Sequence, residues 1–160
     1  MNDHTEITDQ IFFVNNGEID LLTGAIAQSR FDQIIKRDLQ LSNRNLNQLI
    51  VISFRLNLDN YLVGNNEITQ DQLKAEIESE LVKIYFVLQN IYRESDCICR
   101  VSALGFWILL TGFNKSDGEL LITRTRELLP KFIDLAISHH NMGESQLDWY
   151  AQIDKLHFLK

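Results

Sequence analysis

Proline is nearly missing from this chain, Pro130 being the single one. That excludes a Pro-rich linker and a mucin-like stalk, both of which depend on repeated prolines. Cysteine is scarce as well, with only Cys97 and Cys99, set as C-x-C. A disulfide across one residue is geometrically poor, and no second cysteine pair completes a zinc site. His139 and His140 are adjacent and so lack the spacing of paired helical ligands. The two thiols read as small apolar residues sharing one face of a strand, and no metal or cofactor is expected. Basic charge is in deficit: 15 Lys and Arg stand against 22 Asp and Glu, a net charge of −7. Nucleic-acid affinity rests on Lys and Arg at phosphates, so nucleic acid is not an expected partner. A small anionic ligand at one local Arg cluster stays open. No run reaches the roughly 18 apolar residues that span a bilayer. Reduced thiols and the lack of a signal peptide point to the cytoplasm.

What is present is an ordinary globular mixture, 45% hydrophobic and 23% charged over 160 residues. A chain of this length buries about 70% of the surface its unfolded form exposes, enough for one core. No internal repeat is visible. Residues 1–19 are polar except for Ile11–Val14 and read as a tail or connecting segment, with the domain over 20–160. Over 28–42, Phe31, Ile34, Ile35 and Leu39 fall at helical spacing. Residues 49–58 run apolar and then alternate, as a central strand does. Residues 59–68 read as loop, punctuated by Gly64-Asn65-Asn66. Thr69 and Gln72 form a capping box for a long helix striped by Leu73, Ile77, Leu81, Ile84, Leu88 and Ile91, ending near 93–95. Two strands, 97–101 and 106–111, flank Ser102–Gly105, which predicts a β-hairpin. Ser116 with Glu119 is expected to cap a helix over 117–129, stopped by Pro130. Residues 132–140 read as a strand, and Gly143 and Ser145 open a last helix over 146–158. Phe106 and Trp107 are expected in the core, with Trp149 and Tyr150 covering the sheet and one edge wet. The order α–β–α–β–β–α–β–α predicts an α/β (α+β) domain with one mixed sheet and helices on both faces.

Several motifs carry a family resemblance. Asp20-Leu-Leu-Thr-Gly24 resembles the D-x-L-T-G that opens GGDEF (diguanylate cyclase) domains, and Arg93-Glu-Ser-Asp96 resembles the family's R-x-x-D. Ser102-Ala103-Leu104-Gly105-Phe106 stands in the place of G-G-D/E-E-F, inside the predicted hairpin. Ile137-Ser138 sits where the family has S-I-G, and Ile153-Asp154-Lys155 with Phe158 resembles A-D-x-A-x-Y. The resemblance covers about residues 20–160. It implies a palm-like fold shared with nucleotidyl cyclases and a role in bacterial cyclic di-GMP signalling. Active members of the family condense two GTP across a homodimer.

The departures fall where that chemistry happens. Ser102 and Ala103 replace the two glycines that let backbone approach GTP. Leu104 and Gly105 replace the acidic pair, and neither can ligate Mg²⁺, which takes oxygen ligands. Ser53-Phe-Arg55 stands in place of the metal-binding D-x-D, where a guanidinium would repel a metal. F-K-x-x-N-D has no counterpart, and Ala27 and Gln28 replace N-R. Phosphoryl transfer relies on metal-neutralised charge, so no catalytic residues remain and a non-enzyme is expected.

Arg93-x-x-Asp96 survives. In the family this motif is the inhibitory site, and the resemblance implies cyclic di-GMP there. An Arg fork can donate to guanine O6 and N7, and an Asp can accept from N1–H and N2–H₂. Arg124 is the expected second Arg, with Arg126 its competitor. As plain residues, Arg93 complements a helix C-terminus, Asp96 is common in turns, and Arg124 is an ordinary solvated residue. Two functions follow: a non-catalytic cyclic di-GMP receptor whose three residues converge on an exposed patch and whose ligand controls dimerisation or contact with a protein partner, or a nucleotide-independent protein-interaction or dimerisation module. A GTP-binding residual enzyme is set aside by the missing ligands.

Overall fold

The computed structural model describes residues 4–45, 48–64, 67–112 and 115–157. In chain order the elements are α1 (Thr5–Gln10), α2 (Gln28–Asn45), β1 (Leu49–Leu56), α3 (Leu58–Tyr61) and α4 (Gln70–Ile91). They continue with β2 (Cys97–Ser102), β3 (Gly105–Thr111), α5 (Lys115–Leu128), β4 (Ile133–His139) and α6 (Gln146–Lys155). The strands form one 4-stranded sheet in the order β2-β3-β1-β4. The succession β1–α4–β2–β3–α5–β4 is a split β-α-β arrangement. The crossover through α4 carries β2 two places from β1, and β3 fills the gap. Every neighbouring strand pair is therefore antiparallel, and the parallel part of the expected mixed sheet shrinks to one bridge, Ile26 with Cys99.

The two-residue period of β1 explains the two cores. Ile50, Ile52, Phe54 and Leu56 face the α4 stripe of Leu73, Ile77, Leu81, Ile84 and Leu88. Leu49 and Val51 face the other way, toward Phe31, Ile35 and Leu39 of α2 and Trp149 and Ile153 of α6. Cys97 and Cys99 share this second side, as expected, and Phe106 and Trp107 are core residues. Trp149 differs from expectation: it is fully buried, because its indole N–H finds the Ser138 hydroxyl at 2.9 Å and needs no water. Tyr150 is half-buried and donates to Asp32 at 2.6 Å.

The Thr69–Gln72 capping box is formed on both sides, and α4 ends at Ile91 with Tyr92 extended beyond it. Ser145 caps α6 through the Asp148 amide. Several boundaries differ from expectation. β1 stops at Leu56 because Asn57 caps the short helix α3, inside a stretch expected to be loop. Asn65 and Asn66 of the expected punctuation lie outside the described residues. α5 begins at Lys115, so Ser116 sits in its first turn and is not its cap. α6 ends at Lys155, and Phe158 lies outside the described residues. Residues 4–19, expected as a tail or connecting segment, dock on the domain: Ile7 and Ile11 are buried in the α4-side core.

Candidate functional site

Two cavities hold the residues singled out from the sequence. The larger, about 440 Å³, lies beside the β2–β3 turn and is lined by Ser102, Ala103, Leu104 and Gly105 together with Ser53, Arg55, Asp154 and His157. β2 runs through Ser102 and β3 starts at Gly105, so the turn proper is Ala103-Leu104. A bulge between Arg100 and Ser102 shifts the register entering it. Leu104, expected in the place of an acidic residue, is buried in the α4-side core, and its carbonyl accepts from the Leu56 amide at 2.9 Å. Gly105 is closely surrounded, so a side chain there requires Ser102 to rotate and the Phe54 carbonyl to shift slightly. A Cβ there would lie 2.8 Å from Ser102 Oγ and 3.2 Å from the Phe54 carbonyl oxygen. On β1, Ser53 Oγ meets His157 Nε2 at 2.6 Å. The carboxylate in this cavity comes from Asp154, on an exposed position of α6. Among the described residues no cluster of three or more His, Cys, Asp or Glu could hold a metal ion.

The second cavity, about 260 Å³, opens where α4 gives way to β2 and is lined by Tyr85, Gln89, Tyr92, Arg93, Glu94 and Asp96, with Ile26 and Ile98. Arg93 and Asp96 meet directly. The Arg93 amide donates to Asp96 Oδ2 at 3.0 Å, and its guanidinium reaches Oδ1 at 3.3 Å and the Thr111 carbonyl at 3.1 Å. The Asp96 amide returns a bond to the Arg93 carbonyl at 2.9 Å, which closes the turn. Asp96 thus departs from the expected exposed patch: its side chain is 1% exposed against 55% for Arg93. The carboxylate folds under the turn because both its oxygens have donors there. Arg124 is exposed on α5 and does not line this cavity. Its chain neighbour Thr125 does approach: the Tyr92 hydroxyl lies 2.9 Å from Thr125 Oγ1, which itself donates to the Leu121 carbonyl. Burial, more than any other cause, pushes the Tyr92 phenol up to about 12. Arg126 turns elsewhere, to the Leu135 carbonyl at 3.4 Å.

One buried charged residue was not foreseen from the sequence. Arg100, on β2, is 0% exposed and pairs with Asp20 Oδ1 at 3.0 Å. It also donates to the Phe12 carbonyl at 2.7 Å and the Ala103 carbonyl at 2.9 Å, and its carbon Cζ sits 4.9 Å from the Phe13 ring centroid. Asp20 accepts through Oδ2 from the Thr23 amide and hydroxyl, and the turn closes on Gly24 at φ +87, a left-handed backbone that glycine adopts without strain. Burial lowers the Arg100 pKa, and the Asp20 carboxylate opposes that shift. The signal available in sequence was a lone charge inside the apolar run 97–101, which a buried strand tolerates only with a partner.

No protein-family model matches this chain, and no curated protein matches it. Solved structures do. The GGDEF domain of FimX from Pseudomonas aeruginosa superposes with a TM-score of 0.69 at 12% identity, covering 88% of this chain and 90% of that one. The GGDEF domain of DgcB from Caulobacter crescentus, solved in complex with c-di-GMP, gives 0.68 at 10% identity over 91% and 88%. The diguanylate cyclase SiaD of Pseudomonas aeruginosa, solved with its activator SiaC, gives 0.67 at 14% identity over 88% and 55%. At these identities the likeness is one of architecture: the chain carries the fold of a GGDEF domain.

Proposed function

We propose that this chain is a non-catalytic, cytoplasmic domain of cyclic di-GMP signalling that receives the nucleotide at Arg93 and Asp96. The absence of catalysis is carried by the hairpin turn. Leu104 is buried in the core and Gly105 offers no side chain, so the turn presents no carboxylate to a metal. The receptor role is supported by the neighbouring cavity, where the exposed Arg93 fork lies beside Asp96, and by the c-di-GMP complex of DgcB. Binding requires the guanidinium to turn from Asp96 and Thr111 toward a guanine edge. Arg124, exposed on the adjacent helix, is the second cation of this reading.

One observation favours the other reading, a protein-interaction module. Arg93 already has acceptors in Asp96 and the Thr111 carbonyl, so the pair is complete as a structural lock. The SiaD structure, of which this fold spans 55%, was solved in complex with its protein activator SiaC, which supports this reading. Calorimetry separates the two. Wild-type protein is expected to bind cyclic di-GMP, and Arg93→Ala to weaken it by about 1–3 kcal/mol, roughly ten- to a hundredfold. Asp96 is tested as Asn, because removal of its buried carboxylate by Ala would open the turn as well as the site. No binding by wild type at about 100 µM, near −5.5 kcal/mol, leaves the interaction module as the function.

A further inference from the structure

The sheet has two edges, and they are treated differently. At the β2 edge, the groups that face away from β3 belong to Ile98 and Arg100. Both are engaged: the Ile26 amide donates to the Ile98 carbonyl at 2.8 Å, and the Arg100 amide donates to the Ile26 carbonyl at 3.3 Å. A bulge follows at once. Covering an edge and bulging it are the usual ways of preventing another chain from pairing there.

Among the described residues the β4 edge has no bulge and no strand against its outer side, and one of its outward groups, the Leu135 carbonyl, is met by the Arg126 guanidinium at 3.4 Å. Its seven residues, Ile133–His139, pair with β1 in unbroken register. The bonds flanking the ladder, Asn57 amide to Phe132 carbonyl and His140 amide to Leu49 carbonyl, fix its phase. Hydrogen-bonded pairs alternate along an antiparallel ladder, so Asp134, Ala136 and Ser138 address β1 while Leu135 and Ile137 direct their N–H and C=O outward. The Arg126 guanidinium reaching the Leu135 carbonyl agrees with this phase. No proline, lysine or bulge interrupts the strand. Against this edge lies a third cavity of about 390 Å³. Leu129, Ile133, Leu135 and Leu156 supply apolar walls, and Arg126, Lys131 and His157 supply nitrogen groups around Asp134. Asp134 accepts from the Asn57 amide group at 3.0 Å.

We propose that the β4 edge is a docking site for an extended, acidic segment of a partner protein, which adds to the sheet as a fifth strand. Main-chain bonds to Ile137 and to the Leu135 amide supply the pairing, as in other cases of strand addition, and Arg126 turns from the Leu135 carbonyl to the incoming segment. Arg126 and Lys131 select carboxylates on the incoming segment, and the apolar walls accept its aliphatic side chains. A second copy of this chain is the poorer occupant, since its own β4 would bring a second Arg126 and Lys131 to the same edge. The proposal is independent of the nucleotide reading.

The test uses blocked, fluorescein-labelled nine-residue peptides that alternate valine with glutamate or valine with lysine, read by anisotropy. The glutamate peptide is expected to bind at least about tenfold more tightly than the lysine peptide. Ile137→Pro removes an outward N–H without touching the β1 ladder, a place where an edge strand tolerates proline. It should abolish binding while circular dichroism stays unchanged. If that variant does not fold, the exposed pair Arg126→Glu with Lys131→Glu takes its place and should reverse the preference between the peptides. The proposal is overturned if wild type binds neither peptide at several hundred micromolar, or if Ile137→Pro is folded and binds as wild type does. Unchanged peptide preference in the charge-reversed pair overturns it too. Sedimentation showing self-association that Ile137→Pro removes would assign the edge to a second copy and also overturn it.

Discussion

Arg100→Met is the most severe single test of how this domain is held together. The substitution keeps a long side chain in the site but removes the cation, which is 0% exposed and 3.0 Å from Asp20. Asp20 keeps the Thr23 amide and hydroxyl, while the Phe12 and Ala103 carbonyls lose the donors that Arg100 supplies. Breaking a buried pair from one side costs about 3–5 kcal/mol, because the remaining charge stays buried without compensation. For a chain of this size each kcal/mol moves Tm by about 2–4 °C, so a fall of roughly 6–20 °C is expected by thermal circular dichroism. Asp20→Asn keeps the shape and removes the charge. In the cycle of the two variants, the double substitution should cost less than the sum of the singles by about 1 kcal/mol or more. Limited proteolysis should also show earlier cleavage near Phe12, whose carbonyl Arg100 holds. A Tm loss under about 2 °C, or strict additivity in the cycle, would refute the reasoning that this pair fastens residues 12–20 to the β2–β3 turn.

Three further outcomes follow from the same structure. GTP with Mg²⁺ or Mn²⁺ should yield no cyclic di-GMP by chromatography, and Gly105→Glu should not restore activity. Its Cβ meets Ser102 Oγ at 2.8 Å and the Phe54 carbonyl at 3.2 Å, at a cost of about 1–3 kcal/mol in overpacking. Glu78 should make the docking of residues 4–14 acid-sensitive. Burial acts to raise its pKa, but bonds from Lys74 and the Phe12 amide outweigh burial and lower it below the ordinary 4.5. A depressed carboxylate stabilises the fold above its unfolded pKa and loses that contribution as pH falls through the folded value. The protection factor of the Phe12 amide, taken relative to its intrinsic rate at each pH, should therefore fall below about pH 4.5 in wild type, and Glu78→Gln should remove that step. Finally, burial raises the pKa of both thiols, more strongly for the deeper Cys99. Iodoacetamide at pH 8 should leave Cys99 unmodified in the native protein and react after denaturation, since the thiolate is the reactive form. Rapid native labelling of Cys99 would contradict its burial.

The elements were readable because their signals are local. The alternation along β1, the α4 stripe and the Thr69 and Ser145 caps each lie within a few residues, and each depends only on the period of a strand or the donors at a helix start. Order and spacing of the Asp20–Gly24, Arg93–Asp96 and Ser102–Phe106 motifs then pointed to the architecture that the solved structures share. Contacts across the fold left no comparable mark. Arg100 meets Asp20 across 80 positions, and Ser53 meets His157 across 104. Which residues converge at such separations depends on strand order and on which face each element turns inward. The same applies to Asp96: its carboxylate is an R-x-x-D ligand in sequence but a buried turn-closing group in space. It applies also to the two sheet edges, because a strand's neighbours are assigned by topology and its outward amides by the phase of the ladder.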